Sequence, residues 1–355
     1  MALITVNPMK STTIGGVETL IREIQACSPD DEIIELYQRT PWQEDFEENE
    51  NITYVNYGYS SGNNTLAKIF TKLKQLKTIA SLKKNGVKHT IVLFHPNDLL
   101  YLPPKLRRES KVILVQTNRL DIFFGRNETF IMKLLSKHID IFTVYTDLDK
   151  HRINKEYSGW FKNIVVIPRG CKLDTATSPS KISNRLVTIA RLHEHQKNFS
   201  GMVEMMRHLP ENYSLDIYGN GPVEELENLT LLIKDSKNIS LKGSTSDVAA
   251  TLSAYSVFIM TSHYEGFGQT LIEARSQGLP IVAYDTFDAL SWIIEDGYNG
   301  YRVNPYDHKL FAECIEAICT DPIKYNTLSR HALEKSAETD RQIINKKWTE
   351  TLSHG

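Results

Sequence analysis

Two doubly wound, Rossmann-like α/β domains are predicted for this 355-residue chain, on three observations. Short apolar runs alternate with longer amphipathic stretches from end to end, the pattern of parallel strands covered by helices on both faces. The length suits two domains of roughly 150 residues each. A stretch of linker composition, Ile167-Pro168-Arg169-Gly170 followed by Asp174-Thr175-Ala176-Thr177-Ser178-Pro179-Ser180, divides the run of elements near its middle.

In the first half, residues 3–6, 32–36, 90–94, 111–116 and 141–145 read as strands. In the second, 164–167, 186–190, 214–218, 239–242, 257–261 and 281–284 do. All are short apolar runs bounded by turn residues, as buried parallel strands require. Helical periodicity lies between most of them, at 18–27, 66–84, 199–207, 223–233 and 269–277. The expected domains are 1–168 and 169–334. A last helical stretch at about 332–352 is expected to return, so that roughly 335–355 pack on the first domain. Ligands of open parallel sheets sit beyond the carboxyl ends of the strands, so two facing domains predict a central cleft.

Composition narrows the function. Charged residues make up 24% and hydrophobic ones 41%, which is globular, and a net charge of -2 argues against a dedicated nucleic-acid binder. Cys27, Cys171, Cys314 and Cys319 form no CxxC pair, so neither a zinc site nor a disulfide scaffold is expected. Reduced thiols in a cytoplasmic protein are the expectation. No apolar run approaches the roughly 20 residues needed to span a bilayer. Residues 1–8 lack a basic start and a small-residue cleavage site, and read as a first core strand rather than a leader.

The densest chemistry lies in Ser262-His263-Tyr264-Glu265-Gly266-Phe267-Gly268-Gln269-Thr270-Leu271-Ile272-Glu273-Ala274. Two carboxylates, Glu265 and Glu273, flank a glycine turn between a strand and a helix. Such a junction presents unpaired N–H groups at the positive end of a helix dipole, where a phosphate is favoured. Arg191 directly follows a strand and Lys197 lies six residues on, a fork and a point charge suited to clamping a diphosphate. A glutamate beside such a pocket accepts from vicinal sugar hydroxyls. Weaker signals are Thr13-Ile14-Gly15-Gly16-Val17-Glu18, a glycine turn that opens a helix, and His95 at a strand end. Tyr218-Gly219-Asn220-Gly221-Pro222 reads as a structural turn. Asp147-Leu148-Asp149 superficially offers an Asp-x-Asp metal motif, but has no neighbouring ligand set and reads as helix-capping acid.

Taken together, Gly15-Gly16, Arg191 with Lys197, Gly219-x-Gly221-Pro222, and Glu265-Gly266-Phe267-Gly268 with Glu273 resemble family 4 of the retaining glycosyltransferases, which have the GT-B fold. The resemblance covers nearly the whole chain and is strongest over residues 186–303. It implies a hexosyltransferase that moves a hexose or N-acetylhexosamine from a nucleotide-diphospho-sugar, a UDP-sugar by expectation. It also implies retention of anomeric configuration, no metal and no other cofactor. Glu273 would then bind the ribose hydroxyls, and Glu265 the donor sugar near the reacting carbon. The backbone amides of Phe267, Gly268, Gln269 and Thr270 would hold sugar and phosphate, Leu271 would belong to the same donor site, and the base would lie near Gly243, Ser244 and Thr245. Arg191 and Lys197 would neutralise the leaving diphosphate, Gly16 would let the first-domain loop approach the phosphates, and His95 would sit by the donor sugar. The sequence departs from the family pattern in an Arg-to-Lys spacing one residue longer than usual and in Val115-Gln116-Thr117-Asn118, where many relatives carry a histidine.

The implied acceptor is a bacterial surface glycan, glycolipid or wall polymer. From residue 51 to 97 there are seven lysines, Lys68, Lys72, Lys74, Lys77, Lys83, Lys84 and Lys88, and no acid. Leu66, Ile69, Phe70, Leu73, Leu76 and Ala80 give the same helix an apolar stripe. Three readings stay open: a helix packed on its own sheet, a peripheral contact with an anionic membrane through Lys68, Lys72, Lys74 and Lys77, or steering of an anionic polymer. The second would place a cytoplasmic protein on the inner face of the plasma membrane. Two other functions compete, a catalytically silent GT-B partner or chaperone of another transferase and a GT-B sugar-nucleotide epimerase. A silent partner would be expected to lose the paired glutamates or cations, and all of them are present.

Overall fold

A computed structural model describes residues 2–13, 15–41, 45–58, 65–81 and 89–353, with only the backbone described at 65, 67 and 68. The chain forms two compact units: Met1–Arg169 with Gln342–Gly355, and Gly170–Arg341.

Unit 1 is built on a seven-stranded parallel sheet. In chain order its strands are β1 (Ala2–Met9), β2 (Glu32–Arg39), β3 (Ile52–Asn56), β4 (His89–Leu93), β5 (Lys111–Val115), β6 (Ile141–Val144) and β7 (Ile164–Val166), and their spatial order is β3-β2-β1-β4-β5-β6-β7. The inner strands are buried on both faces, β4 over its whole length, as their unbroken apolar runs require. Apolar layers cover the two faces. Ile344, Trp348 and Leu352 of the helix Arg341–Ser353 join the layer that holds Leu3, Leu20, Ile21 and Ile24, so the chain ends on the unit where it began.

Unit 2 carries a six-stranded parallel sheet, with β8 (Arg185–Ile189), β9 (Ser214–Tyr218), β10 (Ile239–Gly243), β11 (Val257–Met260), β12 (Ile281–Tyr284) and β13 (Gly300–Val303) in the order β10-β9-β8-β11-β12-β13. Its main core packs Leu215, Ile217, Val257, Ile259, Val282 and Phe311 with the helix Phe199–Met206. The α/β class and the returning helix agree with the sequence expectation.

Several particulars differ from it. Residues 164–166, grouped above with the second half, pair with β6 and belong to the first sheet. The edge strands β3 and β13 carry half-exposed residues and lack an apolar run, which is why the pattern passes over them. The stretch 332–352 is two helices, Pro322–Ser336 and Arg341–Ser353, joined by a 3-10 turn at Ala337–Thr339. Cys27, Cys171 and Cys319 are buried and Cys314 half-buried, with no disulfide among them.

The lysine-rich helix spans Thr65–Ser81, and Lys83, Lys84 and Lys88 lie outside the described residues. It docks through the buried Gln75 and Ile79 and turns Leu66, Ile69, Phe70 and Leu73 outward, at 67%, 51%, 70% and 56% exposure. Lys72 corrects the expectation of four outward lysines. Its Nζ lies 3.3 Å from the centroid of the Tyr101 ring, and burial pushes its pKa down to about 8. Lys74 and Lys77 are exposed. Among the described residues no helix is long and apolar enough to cross a membrane.

Candidate functional site

Strand order locates the site before any side chain does. In unit 2 the order reverses between β8 and β11, so the segments leaving these neighbours diverge and open a crevice at their carboxyl ends. The loops that begin there are Ala190–Asn198 and Thr261–Gly268.

The first loop runs through the short helix Glu194–Lys197 into Asn198, which is left-handed at φ 54°. Asn198 Oδ1 accepts from Gly201 N–H and caps the helix Phe199–Met206, while its Nδ2 donates to Thr261 O. Thr261 Oγ1 donates back to Asn198 O at 2.8 Å, and His263 N–H donates to Gln196 O at 2.8 Å. This lacing brings two residues 68 apart in sequence together, with Lys197 Nζ at 2.5 Å from Glu265 Oε1. Ser262 Oγ donates to the same oxygen at 2.8 Å, and Gln196 Nε2 lies 3.5 Å from Oε2. The Lys197 and Glu265 side chains are 13% and 10% exposed, so their attraction is poorly screened by water. The longer Arg-to-Lys spacing is thus taken up in one helical turn. An ammonium carries three N–H groups, and this ion pair uses one. Arg191 is exposed and forms no ion pair with a described residue.

The Tyr218-to-Pro222 turn supports this loop from below. A Cβ on Gly219 would stand 1.8 Å from Ala190 O and one on Gly221 2.4 Å from Leu192 O, while Leu192 N–H donates to Asn220 O. These glycines allow backbone to pack on backbone beneath Arg191.

Gly268, at φ 92°, is the N-cap of the helix Gln269–Ser276, and no side chain caps that terminus. The backbone conformation requires glycine, and a Cβ would also press on Leu271 and Phe287 at about 3.0 and 3.1 Å. Phe267 and Leu271 place their side chains in the core, and Leu271 N–H already donates to Gly268 O. The Leu271 amide is thus engaged within the turn, whereas the first-turn amides of Gln269 and Thr270 precede any intrahelical partner. Gln269 Nε2 donates to Gly170 O at 3.0 Å. Glu273 is half-buried one turn further along. Gly243, at φ 73°, ends edge strand β10, and Ser244 beside it is exposed. Thr245 Oγ1 is engaged with Asp247 O and Thr251 Oγ1 at the start of the next helix.

Unit 1 has its own switch point, between β1 and β4. Gly16 opens the helix Gly16–Ala26, and nothing lies within 4 Å of where its Cβ would be. His95 follows β4. Its Nδ1 accepts from Asn97 N–H at 3.2 Å, which leaves the proton on Nε2, and burial pushes its pKa down. Sequence reasoning gives no role to Glu35, a fully buried β2 carboxylate that accepts from Asn7 Nδ2, Ser11 N, Ser11 Oγ and Gln25 Nε2. These bonds fix the loop that leads to Gly16. Its only trace in the sequence is one acid inside an apolar strand. Gln196 likewise passes unmarked, and Ser262, although it opens the motif, is given no role of its own.

Asp149 forms a capping box with Thr146, accepting from its N–H at 3.0 Å and its Oγ1 at 2.6 Å, so the Asp-x-Asp is helix-capping chemistry. Among the described residues no group of three His, Cys, Asp or Glu side chains is arranged to hold a metal ion.

Two doubly wound sheets, each with polar loops at its switch point, define the GT-B class. Residues 176–337 match the model of the family described as Glycosyl transferases group 1. It is similar to the poly(glycerol-phosphate) alpha-glucosyltransferase of Bacillus subtilis, 31% identical over 48% of this chain and 25% of that protein. The lipopolysaccharide core biosynthesis glycosyltransferase LpsE of Rhizobium meliloti is 32% identical over 50% of this chain and 48% of its own length. The aligned part of the chain thus spans less than half of either relative. The crystal structure of Anabaena HepE in complex with UDP superposes with a TM-score of 0.77 at 16% identity, covering 99% of this chain and 100% of that one, a likeness of fold.

Proposed function

We propose that the chain is a retaining, metal-independent glycosyltransferase that moves a hexose or N-acetylhexosamine from a UDP-sugar to a bacterial surface glycan, glycolipid or wall polymer. The observation that carries this is the Lys197–Glu265 ion pair at the switch point of unit 2, beside a helix N-terminus opened by Gly268. The relatives' names, an alpha-glucosyltransferase and a lipopolysaccharide core transferase, support the acceptor class.

In this reading the anomeric carbon–diphosphate oxygen bond breaks as the acceptor oxygen bonds to the same face of the carbon. The acceptor's proton passes to the leaving phosphate. Charge then develops on the diphosphate, where the remaining N–H groups of Lys197, the Arg191 guanidinium and the amides of Gln269 and Thr270 meet it. Donors aimed at developing charge act without reorganising, and each is typically worth a hundredfold or more in rate. Glu273 grips the ribose hydroxyls, Glu265 lies by the donor sugar, and Gly243 with Ser244 takes the base. Gly16 gives the phosphates a bare backbone to approach, and His95 offers its Nε2–H to a sugar oxygen.

The test is a thermal-shift series with UDP, GDP, ADP and TDP in EDTA. A site on unit 2 predicts stabilisation by one of them, about 2.7 kcal/mol at 100 Kd. That corresponds to roughly 5–10 °C for a unit of this size. No shift with any nucleotide refutes the donor site, and a shift that requires a divalent ion refutes metal independence.

The exposed ridge Leu66, Ile69, Phe70 and Leu73, with Lys74 and Lys77 alongside, supports a peripheral membrane contact at the cytoplasmic face. An apolar ridge enters the headgroup boundary while nearby cations add about 1 kcal/mol each on an anionic surface. Phe70→Glu is expected to reduce co-sedimentation with phosphatidylglycerol vesicles at least tenfold, and equal sedimentation of both proteins removes this contact from the reading.

A further inference from the structure

At the β10 side of the second sheet a polar cluster gathers on one carboxylate that none of the roles above uses. Leu215 and Ile217 of β9 belong to the main core, so Asp216 and Tyr218 face the other way. Asp216 is 9% exposed, an acid inside an apolar strand. Its Oδ2 accepts from Tyr255 Oη at 2.6 Å and lies 3.6 Å from Arg185 Nη2, while its Oδ1 lies 3.4 Å from Lys242 Nζ. The Arg185 guanidinium also stands 4.6 Å from the centroid of the Tyr255 ring. A phenol has one proton to donate, and Tyr255 gives its own to Asp216. The 3.0 Å contact between the Tyr218 and Tyr255 hydroxyls therefore has Tyr218 as donor. Burial and the adjacent carboxylate push the Tyr255 pKa up, which keeps that hydroxyl protonated.

This cluster sits where β10 leaves its register. Leu241 pairs with Ile217, but Gly243 rather than Lys242 pairs with Tyr218, so Lys242 is an extra residue in the strand, a β-bulge. Bulges are rare between parallel strands, and they redirect the backbone that follows. The Lys242 ammonium reaches Asp216, so the ion pair ties the bulge to the neighbouring strand. A second tie lies just beyond it. Gly219 N–H donates to Gly243 O at 2.9 Å, and Tyr218, bonded to Tyr255, leads directly into Gly219. β10 is an edge strand, so no second neighbour sets the path of its end.

The turn held in this way is Gly243–Ser244, where the transferase reading puts the nucleobase. Gly243 has no side chain and turns at φ 73°, so the turn offers a base its backbone N–H and C=O groups and the Ser244 hydroxyl. A site that hydrogen-bonds the edge of a ligand rejects ligands whose donors and acceptors do not match. Its selectivity then depends on where the backbone is aimed. We propose that Asp216 is a positioning residue for the nucleobase: through Lys242 it holds the β10 bulge that aims Gly243 and Ser244, and so sets which base the donor site takes. The assignment rests on the transferase reading.

Calorimetric titration of the full chain with UDP, GDP, ADP and CDP tests it, since these four differ only in the base. The parent is expected to prefer one of them by about tenfold or more. In Asp216→Asn and in Lys242→Met that preference is expected to shrink to about threefold or less, through weaker binding of the preferred nucleotide alone. Lys242→Arg, which restores the ion pair, is expected to keep it. The Lys242 side chain is 41% exposed at the sheet edge, so Lys242→Met is expected to fold with a level Tm. A merely structural role would weaken all four nucleotides by the same factor and leave the preference intact. That result, or unchanged binding in both variants, overturns the proposal, and so does a parent that binds all four alike. A parent that binds none of them fails the donor reading itself, and the positioning role falls with it.

Discussion

Glu265→Gln is expected to lower transferase turnover at least a hundredfold while UDP still stabilises unit 2 within a few-fold of its parental affinity. The carboxylate accepts from Lys197 and Ser262 on one oxygen, and it is the group assigned to the donor sugar rather than to the nucleotide. An amide in its place keeps one oxygen for both donors but sets an NH2 group where Oε2 stood, against the Gln196 Nε2 donor, so the lacing between the two loops loosens as well as losing its charge. Lys197→Met is expected to differ in kind. It removes a cation assigned to the diphosphate, so turnover and UDP affinity should fall together. Breaking a fully buried ion pair costs about 3–5 kcal/mol, and the partial exposure of this one brings the stability cost to roughly 1–3 kcal/mol. The double variant should lose less stability than the sum of the single ones, since neither leaves an unpaired partner. Near-parental turnover in Glu265→Gln, in a protein that still binds UDP, would remove Glu265 from the site.

What could be read in advance follows from how each feature is encoded. Inner strands such as β4, β11 and β12 are buried on both faces, so a run like Val257-Phe258-Ile259-Met260 admits few other readings. The edge strand β3 mixes half-exposed and exposed residues in Ile52-Thr53-Tyr54-Val55-Asn56 and resembles a loop. The site divides in the same way. Glycine turns and charged strand ends are local, so Gly268, Glu265 and Lys197 stand out singly. That Lys197 meets Glu265 depends on β8 lying beside β11, a fact of sheet order that no local pattern contains. Lys72 shows the opposite failure. Its spacing suits an outward basic stripe, but the neighbouring Tyr101 ring, 29 residues on in sequence, draws it inward.

Arg275→Ala is expected to cost unit 2 about 3–5 kcal/mol, the largest stability effect of any single substitution considered for this chain. Arg275 is 0% exposed on the helix Gln269–Ser276, and burial pushes its pKa down to about 10. Its Nη2 donates to Thr339 Oγ1 at 3.1 Å, and its Nη1 lies 3.4 Å from both Ile293 O and Glu338 Oε2. Trp292 stands 5.3 Å beneath the guanidinium. Truncation leaves the Thr339 hydroxyl without its donor, takes one of two donors from Ile293 O, which keeps Asn299 Nδ2, and opens a void under Trp292. Glu338→Gln is expected to cost under 1 kcal/mol, since that carboxylate is 39% exposed and water replaces its partner. The helix Arg275 anchors carries Gln269 and Glu273, so the donor site should weaken with it. At roughly 2–4 °C per kcal/mol, the unit 2 transition should fall by about 6–20 °C, with the unit 1 transition left in place. Melting followed with and without UDP separates the two, because a donor site on unit 2 means that nucleotide raises only that transition. A fall confined to the transition that UDP does not move would place Arg275 in the wrong cooperative unit, and a fall under 1 kcal/mol would mean that water reaches the space it fills.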